Sequence, residues 1–253
     1  MKSVIIIPAR LASTRLPRKL LLNETGKSVL QHTYESASRS KKAAEFIVAA
    51  DDPEIVSAVE SFGGKVVLTD ANHVCGTDRV AEVAASMSDV DIVINVQGDE
   101  PEISAEAIDL AISLLEDNPE ISMTTLATPI HNEEKLNDPS CVKVVCDMAH
   151  RAMYFSRSPI PHVRDQNELE ALLSPSSKEI NFLQHVGLYG YRRDFLLSIP
   201  ELPPSPMEKI ESLEQLRILY HGFPILVGTI DHPIAGIDTA EDYESFVRRH
   251  SNC

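Results

Sequence analysis

Val4-Ile5-Ile6-Ile7-Pro8-Ala9-Arg10-Leu11-Ala12-Ser13-Thr14-Arg15-Leu16-Pro17-Arg18-Lys19 carries the first decision about this chain. A short apolar run ends at a proline, and a cationic loop follows at once. An apolar run of this length reads as a buried strand. In an open α/β sheet, functional groups gather beyond the carboxyl ends of the strands. The loop is therefore placed at the mouth of a sheet, and it offers Arg10, Arg15, Arg18 and Lys19 with Ser13 and Thr14 as further donors. It contains no glycine, so it is neither a dinucleotide-binding turn nor a P-loop. Arginine forks bind phosphate bidentately and lysine acts as a point charge. A scattered basic surface is the plainer alternative; the position after a buried strand favours an anion site.

Further along, short apolar runs alternate with amphipathic stretches of helical length, the pattern of an α/β sheet. The expected strands are Val4–Ile7, Phe46–Ala50, Lys65–Leu68, Ile92–Val96, Met123–Ala127, Val142–Cys146, Gly187–Tyr191 and Ile225–Gly228. The expected helices are Ser28–Ser38, Pro53–Ser61, Asp78–Ala85, Ala105–Glu116, Lys209–Tyr220 and Ala240–His250. Pro53 suits a first helical turn, and Thr239 with Asp242 reads as a capping box. Two polar, proline-bearing stretches, Arg157–Lys178 and Pro203–Pro206, read as loops rather than linkers. The expectation is one domain over residues 1–253, with a mobile or dimer-contact segment around 157–182.

Composition narrows the function. The chain has 253 residues and a formal charge of −15. Residues 1–42 hold nine basic and two acidic side chains, a local +7; the remaining 14 basic and 36 acidic residues give −22. That balance disfavours nucleic acid as a partner, whereas a local basic cluster suits a small anion. Trp is absent and aromatics are few, so branched aliphatics must fill the core. No apolar run is long enough to span a bilayer, and Pro8 stops the first run too early for a signal peptide. A cytoplasmic protein with free thiols at Cys75, Cys141, Cys146 and Cys253 is expected. The Cys and His residues do not cluster at zinc-ligand spacing.

Two acids stand at the ends of elements. Val93-Ile94-Asn95-Val96-Gln97-Gly98-Asp99-Glu100-Pro101 closes a strand with Asp99 at the cleft edge, where a carboxylate beside a triphosphate suits Mg²⁺. Asp99 is equally at home as a turn former, and Glu100 reads as a second ligand or a turn residue. Asp238, in Gly236-Ile237-Asp238-Thr239-Ala240-Glu241-Asp242, precedes a helix and reads first as a cap; paired with Asp99 it would hold a metal. His185 alone reads as a structural histidine. Glu211 and Gln215, four apart, are expected to share a helix face, and Glu214 to pair with Arg217 on a solvated helix.

Taken together, these stretches closely resemble the CMP-Kdo synthetases, the 3-deoxy-manno-octulosonate cytidylyltransferases. The resemblance runs nearly end to end, through Pro8–Lys19, His73–Glu82, Val93–Pro101, Val142–Val145, Tyr154–Arg157, His185–Tyr191, Glu211–Leu219 and Gly236–Asp242. CMP-sialic acid synthetases share a basic loop after the first strand, but theirs is richer in glycine. The resemblance implies a Rossmann-like nucleotidyltransferase fold, a mixed central sheet covered by helices on both faces, and a homodimer. It implies Mg²⁺-dependent transfer of CMP from CTP to the anomeric hydroxyl of 3-deoxy-D-manno-octulosonate (Kdo), releasing pyrophosphate, as the activation step for lipopolysaccharide.

Carried onto this chain, the resemblance makes Arg10, Arg15, Lys19, Asp99 and Asp238 the catalytic set. Arg10, Arg15 and Lys19 hold the CTP phosphates. Pro8, Ala9, Gly76, Thr77 and Arg79 surround base and ribose, with Gln97 reaching the nucleotide. Asp99 and Asp238 bind Mg²⁺. Arg15, Gln97, Arg157, His185, Glu211 and Gln215 line the sugar-acid site. Three positions depart from the family pattern: Cys75 stands where Ser is usual, Asp78 where Glu is usual, and Arg18 where Gly is common. A related acceptor (8-amino-Kdo or sialic acid) and a catalytically inactive nucleotide-binding protein are the rival readings.

Overall fold

The computed structural model describes residues 1–73, 75–175 and 182–250. In chain order it forms β1 (Ser3–Ala9), α1 (Val29–Ala37), β2 (Ala43–Ala50), α2 (Pro53–Ser61), β3 (Val66–Leu68), α3 (Gly76–Ala85) and β4 (Ile92–Asn95). There follow α4 (Ala105–Asp117), β5 (Met123–Pro129), α5 (Glu133–Asn137), β6 (Lys143–Cys146), β7 (Ala152–Ser156) and α6 (Leu169–Leu173). The chain closes with β8 (Leu183–Arg192), α7 (Arg193–Ser198), α8 (Pro206–Glu211), α9 (Gln215–Tyr220), β9 (Ile225–Thr229) and α10 (Ala240–His250).

Every residue of β1 is buried, because a strand covered on both faces has no solvated side. It pairs in parallel with β2 and with β4, and β2 pairs in parallel with β3. The sheet order is β3-β2-β1-β4-β8-β5-β9. Strand β8 runs antiparallel to both β4 and β5, and β9 is parallel to β5, so the sheet is mixed. The hairpin of β6 and β7 attaches to the start of β8 through Lys143↔Gln184 and Val144↔Leu183.

Alternation along β1 sorts the core into two layers. Ile5, Ile7 and Ala9 pack with α1, α2, α4 and α10, whereas Val4 and Ile6 pack with α3, α7 and α9. A third, smaller cluster (Ile130, Leu136, Cys141, Leu173 and Phe182) lies under the excursion between β5 and β8. Burying a β1 isoleucine contributes on the order of 2 kcal/mol, which is why a seven-residue strand suffices to fix the sheet's centre.

Local signals hold where their hydrogen bonds are made. Pro53 opens α2 behind an Asp52 cap. Thr239 and Asp242 cap α10 reciprocally, Asp242 N donating to Thr239 Oγ1 (3.2 Å) and Thr239 N to Asp242 Oδ2 (2.9 Å). The expected helix over Lys209–Tyr220 is instead two helices. Ser212 adopts φ 53°, ψ 50°, which turns Leu213 into the core at 7% exposure and separates Glu211 from the face of Gln215. The stretch Pro203–Pro206 contains the start of α8, whose capping box joins Ser205 and Glu208. Strand β7 was not expected; its inward positions Ala152 and Phe155 flank the outward Met153. Strand β8 is longer than the expected Gly187–Tyr191, and its register shifts opposite Thr125 and Leu126. Within the segment 157–182, α6 is formed, and residues 176–181 lie outside the described residues, as do Val74 and Cys253. Among the described residues no helix is long and apolar enough to cross a membrane.

Candidate active site

The basic loop is anchored at both ends by backbone geometry. Leu11 N donates to Asp51 Oδ1 (2.9 Å), and Asp51 N to Ala9 O (3.2 Å), tying the loop's start to the end of β2. Its far end turns at Arg18, which sits in the left-handed region at φ 57°. That conformation explains why glycine suits this position. The Arg18 side chain points away from the cleft and pairs with Glu54.

Opposite the loop, Gly98 lets the end of β4 lie against β1: a Cβ there would stand 3.0 Å from Pro8 O. Thr33 Oγ1 donates to Gly98 O (2.9 Å) and fixes the turn from α1. Asp99 O then accepts Ile237 N (2.9 Å), which brings the last loop alongside. The consequence is a charge cluster at the mouth of the sheet. Lys19 Nζ donates to Asp99, to Asp238 Oδ1 (3.0 Å) and to Ile237 O (2.9 Å), and Arg15 reaches Asp238 at 2.9 Å. Burial works to lower the Lys19 pKa, but Asp99 and Asp238 outweigh it and hold the ammonium above its ordinary value. Asp99 and Asp238 therefore meet, and the group they share here is the Lys19 ammonium.

A cavity of about 820 Å³ opens beside this cluster. Of the residues expected in the site, Arg15, Gly76, Thr77, Gln97, His185, Gln215 and Asp238 line it. Cys75, Gly76, Thr77 and Asp78 present the N-terminus of α3 to the cavity. Cys75 holds the N-cap position without a side-chain capping bond, and burial, then Glu214, pushes its thiol up to about 12. Gln97 Nε2 spans Asn95 Oδ1 and Gly187 O at 3.4 Å each. His185 Nε2 meets Thr125 Oγ1 (2.9 Å), its ring stands edge-on to Phe155, and burial pushes its pKa down to about 3. The imidazole is thus a neutral hydrogen-bonding group rather than a cation.

Other expected residues lie behind this lining. Pro8 packs under Gly76, 3.5 Å from where a Cβ would stand, and Ala9 is buried in β1. Arg10 donates to His73 O (2.6 Å). Arg79 is fully buried, bonded to Thr69 and to Asp70 O (3.2 Å), with Nε and one terminal nitrogen unpartnered. Arg157 and Glu211 bind each other's elements. Arg157 N donates to Glu211 Oε2 (2.9 Å), Arg157 Nε to Glu211 O (2.7 Å), and Ser156 Oγ to Glu211 Oε1 (2.7 Å). The guanidinium so caps the carbonyls freed at the end of α8.

Four features had no clear signal in the sequence. Glu214, exposed at the start of α9, accepts Thr77 Oγ1 (3.0 Å) and so joins α9 to α3, while Arg217 forks onto Glu208. The break at Ser212 rotates it there. Tyr189 lines the cavity from β8. Lys143 is fully buried and donates to Asp138 O (2.9 Å), Cys141 O (2.6 Å) and Arg157 O (2.7 Å), so one ammonium holds the cavity rim and Arg157 together. Glu100, whose two readings the sequence left open, is 8% exposed, lines the cavity, and is pushed up to about 8 by burial and then by Asp99 and Asp238.

Among the described residues, no group of three or more His, Cys, Asp and Glu side chains is placed to hold a metal. Asp99 and Asp238 supply two carboxylates already gathered around positive charge, a donor set that suits Mg²⁺ completed by phosphate and water. A mixed α/β sheet ending in a cationic loop that faces paired carboxylates is the arrangement of a nucleotidyltransferase.

Known proteins agree. A family profile described as cytidylyltransferase matches residues 4–229. A 3-deoxy-manno-octulosonate cytidylyltransferase from Rhodopirellula baltica is 50% identical over 249 residues, 98% of each chain. One from Geobacter metallireducens is 46% identical over 252 residues, 99% of this chain and 98% of its own. The solved structure of a CMP:2-keto-3-deoxy-manno-octonic acid synthetase complexed with CTP has a TM-score of 0.91 at 40% identity, covering 100% of this chain and 99% of its own. A putative glucose-1-phosphate thymidylyltransferase from Bacillus anthracis, at 13% identity and TM-score 0.67, with 99% of this chain and 96% of its own covered, shares the fold alone. The chain belongs to the 3-deoxy-manno-octulosonate cytidylyltransferase family.

Proposed function

We propose that this chain transfers CMP from CTP to the anomeric hydroxyl of Kdo and releases pyrophosphate. The observation that carries the reading is the meeting of Lys19 and Arg15 with Asp99 and Asp238 at the mouth of a polar cavity. The hydroxyl attacks the α-phosphorus in line with the departing pyrophosphate, and negative charge grows on the phosphate oxygens. Catalysis of such a step is mainly positioning and electrostatic stabilisation. Arg10, Arg15 and Lys19 take the phosphates, and Gly76 and Thr77 meet the base and ribose. Gln97, His185 and Gln215 orient the sugar acid with neutral groups. Asp99 and Asp238 would hold Mg²⁺, which when bound would supply neutralisation of the phosphate charge. Arg79, Arg157 and Glu211 act from behind the lining, shaping the α3 and α8 ends.

The same reading makes the enzyme Mg²⁺-dependent, cytoplasmic and homodimeric, and places it in the activation of Kdo for lipopolysaccharide. Exposed Met148, Met153 and Ile210 are candidate contacts for a second copy; sedimentation velocity reads the assembly. The deciding assay is pyrophosphate release with CTP and Kdo, with and without Mg²⁺, beside sialic acid and 8-amino-Kdo. Release with Kdo that stops on chelation is expected. No release with any acceptor refutes catalysis, and release with sialic acid alone refutes the acceptor.

A further inference from the structure

Among the described residues, Glu100 is an acid of the cavity wall with a buried carboxyl oxygen left unpartnered. It is more than nine-tenths buried, and its Oε2 has no hydrogen-bond partner. A buried carboxyl oxygen left without a partner is costly, so such a group in a native fold calls for an explanation. The neighbouring Asp99 and Asp238 are both engaged with Lys19, and among the described residues no ion pair joins a basic side chain to Glu100.

Its position says what the missing partner is. A Cβ on Gly187 would stand 3.5 Å from Glu100 Oε1 and 3.8 Å from Gln97 Cγ, so Glu100 and Gln97 lie side by side across the β8 bulge. Gly187, Gln97 and Glu100 all line the cavity. A ligand group that meets the Glu100 carboxyl there must hydrogen-bond to it, and a group that both donates and accepts does so without adding charge beside Asp99 and Asp238. A hydroxyl of the sugar fits.

We infer that Glu100 is an acceptor-binding residue, its carboxyl taking a hydroxyl of the sugar acid and so helping to set which sugar acid is used. The inference rests on the sugar-acid reading of the cavity, and it gives a residue beside the paired acids a task separate from theirs.

The test is steady-state pyrophosphate release by Glu100→Gln and Glu100→Leu, varying Kdo and CTP separately, with thermal melts as a check of folding. One hydrogen bond between a carboxyl and a substrate hydroxyl corresponds to roughly a tenfold change. The expected result is a Kdo KM raised about tenfold in Glu100→Leu and less in Glu100→Gln, whose amide still hydrogen-bonds, with the CTP KM within about twofold of wild type. A Kdo analogue lacking the recognised hydroxyl is weakened on wild type and not weakened further by Glu100→Leu. An unchanged Kdo KM, or a CTP KM that rises in step with it, overturns the inference. Should Glu100→Leu fail to fold, Glu100→Ala, which removes the carboxyl without added bulk, decides in its place. A wild-type chain that ignores Kdo but uses another sugar acid refutes the Kdo reading, and the same variants measured with that acid still judge Glu100. A wild-type chain that turns over no sugar acid overturns both.

Discussion

Replacing Lys19 with methionine removes the ammonium and keeps the stem. In the wild type that ammonium is 14% exposed and stands between Asp99, 27% exposed, and Asp238, 48% exposed. The contact with Asp238, at 3.0 Å, corresponds to roughly 5 kcal/mol of attraction at an effective dielectric of about 20, most of it offset by desolvation. Truncating one member of an exposed pair costs up to about 1 kcal/mol, and of a buried one about 3–5 kcal/mol. This cluster lies between those cases, so about 2 kcal/mol is expected. For a chain of this size that lowers Tm by about 4–8 °C. The second half of the argument is sharper. If the ammonium balances a site shaped for a cation, millimolar Mg²⁺ restores much of the lost Tm in Lys19→Met, while the wild type, already balanced, gains little. Differential scanning fluorimetry with and without Mg²⁺ reads both effects, and pyrophosphate release should fall at least about a hundredfold with the lost phosphate contact. An unchanged Tm, or a Tm that Mg²⁺ raises equally in both proteins, refutes the reasoning.

Asp99→Asn should reduce turnover by at least about a hundredfold while circular dichroism stays native; near-normal rates at ordinary Mg²⁺ would remove Asp99 from the chemistry. Cys75→Ser supplies the hydroxyl cap that α3 lacks and should stabilise by about 0.5–1 kcal/mol, read as a higher urea midpoint; a lower midpoint would mean that the thiol's packing matters more. His185 is held neutral in the fold with its pKa depressed to about 3. Its contribution to stability is therefore complete above the unfolded value near 6.5 and is lost as pH falls from there toward 3. His185→Gln should lose less stability than wild type between pH 6.5 and 4.5 in parallel urea titrations; equal losses would show that other groups govern the acid limb.

What the sequence revealed followed the range of each signal. The run Val4–Ile7, the cap at Thr239 and Asp242, and the proline at position 53 each act over a few residues, and all three are realised in the fold. Asp99 and Asp238 were legible as acids at element ends, but not as neighbours. Their meeting depends on Lys19 bridging to a residue 219 positions away, which no local pattern encodes. The helix at 209–220 failed for a different reason. Ser212 carries no glycine or proline flag, and its left-handed turn is stabilised by tertiary contacts, Leu213 in the core and Arg157 on the freed carbonyls. That single turn also undid the expected pairing of Glu214 with Arg217 and the shared face of Glu211 and Gln215.

The reversed direction of β8 has a consequence for how such a chain diversifies. Because it runs against β4, its beginning, rather than its end, arrives at the cavity, carrying His185, Gly187 and Tyr189 out of the excursion that leaves β5. The groups proposed to face the phosphates, Arg10, Arg15, Lys19 and Asp99, come from the first hundred residues, and Asp238 joins them from the last loop. Under the proposed reading, much of the acceptor wall comes from residues 123–218, with Gln97 and Glu100 added from the end of β4, so many substitutions that retune the choice of sugar fall outside the loop that holds the phosphates.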